Sequence, residues 1–95
     1  MIYEWDVPVD RQAAFFEAWE ETTLHIRETT EGARGSFCIV GIDNPSEVLT
    51  IARWDELSQW QGFIKSARHS TMKKMHELGE QRSYRAFEMK GDTTC

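Results

Sequence analysis

The spacing of apolar residues switches repeatedly between two periods along this chain, and that switching constrains the fold more than any other feature. Tyr3, Trp5 and Val7 alternate with Glu4 and Asp6, the period of a half-buried strand. Pro8 ends the alternation, and Asp10 is of a type that caps helices. From Arg11 to about Thr30 the period becomes helical: Phe15, Trp19, Thr22 and Ile26 form a stripe, widened by Phe16 and Thr23, with Glu17, Glu20, Glu21, Arg27 and Glu28 opposite. Gly32 and Gly35 break this helix. Ser36 to Ile42 reads as an apolar strand buried on both faces. Asp43-Asn44-Pro45-Ser46 is a turn, because Asx side chains fold back on the backbone and proline fixes one φ angle. Glu47 to Trp54 returns as the second strand of a hairpin.

Asp55 is expected to cap a second helix, with Leu57, Trp60, Phe63 and Ile64 on its apolar side. That helix bends or restarts between Lys65 and Ser70 and runs on through Met72, Met75 and Leu78 to a stop at Gly79. Tyr84, Ala86, Phe87 and Met89 belong to a last strand. The order strand, helix, strand, strand, helix, strand is the split βαβ pattern of a ferredoxin-like α+β fold, a four-stranded antiparallel sheet with helices on one face. Residues 1–90 make a single domain and 91–95 a flexible C-terminal tail. A chain this short buries only about 60–65% of the surface its unfolded form exposes. The uncovered face of so small a sheet predicts a partner, and a second copy of the chain is the natural one.

Composition narrows the function classes. Sixteen acidic against eleven basic side chains leave a formal charge of −5, which disfavours a nucleic acid or an anionic membrane surface as partner. No apolar run approaches the ~20 residues that span a bilayer. The start of the chain has neither a basic nor an apolar leader region, so a cytoplasmic location is expected. Cys38 and Cys95 do not form a disulfide framework. Four Trp, five Phe and two Tyr are the unusual count, and they either fill a core or wall a cavity for a flat ligand.

Four segments carry a resemblance: the aromatic opening strand through Trp5, then Phe15-Phe16-Glu17-Ala18-Trp19, then Glu31-Gly32-Ala33-Arg34-Gly35-Ser36-Phe37, and finally Leu49-Thr50-Ile51-Ala52-Arg53-Trp54-Asp55 followed by Trp60. With these the chain resembles the antibiotic biosynthesis monooxygenase family over roughly residues 1–88. The resemblance implies a dimeric α+β barrel, paired through the sheet. It also implies a cofactor-independent monooxygenase that oxidises a small apolar aromatic or phenolic substrate between sheet and helices, with no metal and no flavin. In the branch that makes quinones, an Asn, a Tyr and an Arg accompany the strand-end Trp. Here Trp54 is kept, and Thr50, Trp60 and Lys74 stand at the other positions. In the haem-degrading branch the key Asn, Trp and His correspond to Tyr3, Phe63 and Lys73.

The candidate pocket residues are therefore Tyr3, Trp5, Trp54, Trp60 and Phe63, and the candidate catalytic residues are Thr50, Lys74 and His69. Thr50 would donate a hydrogen bond, and Lys74 or His69 would handle charge, an imidazole being suited to take a phenolic proton near neutrality. His76 shares a helical stripe with His69. Glu21, His25 and Glu28 are surface neighbours on the first helix and read as a solvated face rather than a metal site. Met72 and Met75 read as adaptable core packing or a pocket wall. The alternatives on the same scaffold are a non-catalytic module that binds a small molecule, a haem-degrading enzyme and an isomerase.

Overall fold

β1 (Ile2–Asp6) is the alternating strand, with Tyr3 and Trp5 buried and Ile2, Glu4 and Asp6 half-buried. A computed structural model describes residues 1–66 and 68–94, with every side chain in that set except those of Arg68 and His69. After Pro8 a single 3-10 turn, Val9–Arg11, leads into α1 (Gln12–Thr29). The N-cap is Arg11 and no side chain caps it. Asp10 sits instead in the 3-10 turn, where its charge still favours a helix N-terminus. The start of α1 is anchored by Gln12, whose Nε2 donates to the carbonyls of Val7 and Pro45.

α1 ends at Thr29, and Gly32 follows with φ of +87°, a conformation that glycine adopts without steric penalty. β2 (Ala33–Val40) begins earlier than the apolar run implied and carries a β-bulge. Ala33 pairs with Trp54 and Ser36 with Ala52, so β2 spends one extra residue there, and Gly35 takes φ of +91°. Nor is β2 buried on both faces. It is an edge strand, with Phe37 and Ile39 about half exposed. The turn folds as its composition dictates, Asn44 Oδ1 accepting from the Ser46 hydroxyl at 2.9 Å. β3 (Glu47–Trp54) then returns antiparallel to β2.

α2 (Leu57–Ser66) is not capped by Asp55, whose carboxylate is held by Arg34 across the start of β2, at 2.9 and 2.6 Å. The helix start is secured by Gln59, whose Oε1 accepts from the Glu56 backbone N–H at 3.2 Å, the reciprocal half of a capping box. The expected restart is present: α3 (Arg68–Thr71) and α4 (Lys73–Leu78) follow, and Gly79 terminates α4. β4 (Glu80–Arg85) starts and ends earlier than the aromatic pattern implied, so Ala86, Phe87 and Met89 lie beyond it. Residues 86–94 form no helix or strand, and Cys95 falls outside the described residues.

The four strands form one antiparallel sheet in the order β2-β3-β1-β4. This is the ferredoxin-like α+β arrangement expected from the order of elements. The core lies between the sheet and the helices. Tyr3, Trp5, Val7 and Val48 from the sheet meet Phe15 and Ala18 of α1, Phe63 of α2, Met72, and Met75 of α4. Trp5 packs edge-on to Phe15 with ring centroids 5.1 Å apart.

Candidate functional site

A cavity of about 50 Å³ opens in the layer between sheet and helices. It is a small, partly open cleft and not a sealed void. The sheet supplies Tyr3, Ser36, Thr50 and Trp54, α1 supplies Trp19, Thr23 and Ile26, and the C-terminal helices supply Phe63 and Met75. Its lining is largely apolar, and the two methionines Met72 and Met75 can repack around a guest.

The strand pleat places the polar groups. Tyr3 and Cys38 both pair with Thr50, so the three residues lie side by side on the helix-facing side. Thr50 is 3% exposed, and its Oγ1 accepts from the Trp5 indole N–H at 3.1 Å. The Tyr3 hydroxyl accepts from Trp60 Nε1 at 2.9 Å. Ser36 Oγ accepts from Trp19 Nε1 at 2.8 Å and lies 3.2 Å from Thr23 Oγ1. Trp54 and Phe63 face each other at 5.6 Å between centroids. Burial pushes the Cys38 thiol up to about 11, which keeps it protonated at neutral pH and unsuited to act as a nucleophile.

Of the residues singled out from the sequence, Tyr3, Thr50, Trp54 and Phe63 come together on the cavity wall. Trp5 and Trp60 are buried one layer back and reach the cavity only through the hydroxyls they hydrogen-bond. Lys74 is exposed on α4, with Nζ 3.9 Å from Glu21 Oε2, and is not part of the lining. His69 belongs to α3, but its side chain lies outside the described residues. His76 packs its ring against Trp5 at 5.2 Å. Among the described residues no group of three His, Cys, Asp or Glu side chains is arranged to hold a metal ion.

Sequence reasoning missed Ser36 and the polar role of Thr23. The signal was present. Thr22 and Thr23 interrupt an otherwise apolar helical stripe, and Ser36 opens an apolar strand, so all three hydroxyls were bound for the interior.

Among the described residues no helix is long and apolar enough to cross a membrane. No family model and no curated protein matches the chain. Among solved structures the chain is similar to one from Deinococcus radiodurans, provisionally described as an antibiotic biosynthesis monooxygenase. The two superpose with a TM-score of 0.65 at 13% identity, over 99% of this chain and 100% of that one. The likeness establishes a shared fold along the whole chain, the ferredoxin-like α+β arrangement that the order of elements implied.

Proposed function

We propose that this chain is a member of the antibiotic biosynthesis monooxygenase family that oxidises a small apolar aromatic or phenolic substrate without a cofactor. The observation that carries this reading is the cavity itself, an apolar space walled by Tyr3, Trp54 and Phe63 with the Thr50 hydroxyl at the sheet side. The fold shared with the Deinococcus radiodurans protein supports it.

In the proposed reaction a phenol enters with its ring against Trp54 and Phe63. Loss of its proton makes the ring carbon opposite the oxygen electron-rich. That carbon gives an electron to dioxygen, the two radicals join as a carbon–oxygen bond, and the peroxide takes up the proton. Loss of water, with the hydrogen on that carbon, leaves a quinone. One oxygen atom enters the product, the other leaves as water, and the substrate supplies all the electrons. His69 is proposed as the base. It precedes the cavity-lining Met72 by three residues, and an imidazole titrates in the right range. Lys74, paired with Glu21, is given no contact with substrate.

An oxygen electrode tests the reading with a panel of single-ring phenols and hydroquinones in the presence of a chelator. One dioxygen consumed per quinone formed is the expected result. Binding of the panel without any oxygen uptake would sink catalysis. A non-catalytic binding module is the second reading, favoured by one observation: no carboxylate and no described histidine lines the cavity. A haem-degrading role has no such support: the positions that correspond to its key Asn, Trp and His hold Tyr3, Phe63 and Lys73.

The proposed assembly is a homodimer formed through the open face of the sheet. Ile2, Ile51 and Phe37 lie side by side across three strands there, next to Leu49 and Ile39. Such a contiguous apolar patch on an antiparallel sheet fits burial against a second copy.

A further inference from the structure

Three of the four tryptophans end in the same kind of contact. Trp5, Trp19 and Trp60 each donate the indole N–H to a hydroxyl oxygen, on Thr50, Ser36 and Tyr3, at 3.1, 2.8 and 2.9 Å. All three residues that carry these hydroxyls line the cavity. An indole nitrogen is a donor only, so it occupies an acceptor position on the hydroxyl and leaves the hydroxyl hydrogen to find another partner.

For Thr50 that partner is absent among the described residues. Its side chain is buried, its oxygen receives Trp5, and no described residue accepts its hydrogen. The Ser36–Thr23 pair repeats the arrangement on the α1 side: two hydroxyl hydrogens, one shared between the pair, one left over. The ionisable residues of the lining are Tyr3 of β1, Arg27 of α1, exposed at the rim, and Arg53 of β3, which shares the open face of the sheet with Ile51; no carboxylate is among them. Behind the wall, Cys38 of β2 stays protonated, and His76 of α4 lies against the far side of Trp5. A buried donor without an acceptor is costly, and the charge of Arg27 at the rim has the sign that favours an acceptor bearing negative charge.

We infer that the cavity selects a ligand by an acceptor oxygen, a phenolate, enolate or polarised carbonyl that takes the Thr50 hydrogen, and that Trp5 and Trp19 are positioning residues that turn the hydroxyls inward. The inference rests on the reading that the cavity holds the substrate, and it states what that substrate must present. It selects the ionised form of a phenol over the neutral one, so binding itself promotes deprotonation.

Fluorine NMR with para-fluorophenol tests this, because its shift reports ionisation, and para-fluorotoluene serves as the control without an oxygen. Bound fluorophenol is expected to ionise about one pH unit below the free compound, a hydrogen bond to a charged group being worth about tenfold or more. Thr50→Val should remove most of that shift, Thr50→Ser should keep it, and Trp5→Phe should lose about half of it. Ser36→Ala gives an independent reading from the α1 side, with a smaller loss. Fluorotoluene should bind every variant within about twofold, which also reports an intact cavity. Fluorophenol bound with an unshifted or raised ionisation, or a shift untouched by Thr50→Val, overturns the inference while the cavity reading stands. If neither ligand binds, both fall.

Discussion

The two faces of the sheet are made by the same strands and the same alternation, yet they end in opposite states. On the helix side Tyr3, Trp5, Val48 and Thr50 are at most 4% exposed, while on the other side Phe37 and Ile39 stay 51% and 46% exposed. Alternation assigns each side chain to a face and says nothing about what covers that face. The chain has helices for one side only. The covered side therefore holds the core and the cavity, and the open side holds the unspent hydrophobic driving force.

That contrast can be broken most severely from the covered side. Trp5→Ala should cost about 3–5 kcal/mol, read from urea unfolding, because it empties the centre of the core and leaves the Thr50 hydroxyl without its donor. Gly79→Ala comes next. A Cβ there would sit 2.7 Å from Val7 Cγ2 and 3.3 Å from the Asp6 carbonyl, so strain of about 1–3 kcal/mol is expected by the same measurement. On the open face, Phe37→Glu should change the stability of the monomer by no more than about 0.5 kcal/mol. It should weaken association at least about tenfold in sedimentation, and the melting temperature should no longer rise with protein concentration. A variant that still pairs would place the contact elsewhere.

Cys38 gives the smallest effect and the sharpest local probe. Its thiol is held up at about 11 by burial, so its share of stability is complete below the ordinary thiol range and is lost as pH rises through that value. In a Cys95→Ser background, iodoacetamide at mildly alkaline pH should label Cys38 more than tenfold slower when folded than in denaturant. Equal rates would show that the covered face opens readily.

The order of elements was legible because each rests on several residues: the Tyr3, Trp5 and Val7 alternation, the Phe15 to Ile26 stripe, the Asn44-Pro45 turn. Single-residue assignments fared less well. Asp10 and Asp55 are both good caps by type, but Asp10 lies within a 3-10 turn and Asp55 is taken by Arg34. The last strand was drawn too late because Phe87 and Met89 look like strand residues, and they stay exposed beyond it. Within the site, Tyr3 and Trp5 share a face, so their pattern cannot separate the one on the wall from the one behind it. Depth beneath the helices decides, and only the folded chain supplies that. Ser36 was hidden by the bulge, since Ala33 and Ser36 both reach the cavity at an odd spacing that a period-two reading forbids.

Both edge strands carry such a spare residue, β2 next to Gly35 and β4 between the partners of Glu4 and Trp5, while the central pair β1 and β3 runs in unbroken register. A bulge twists an edge and interrupts the row of backbone groups that a stray strand would need for docking. Copies of this chain are thereby turned away from adding edge to edge, a mode of growth with no natural end, and the apolar open face is the surface that the proposed homodimer would use.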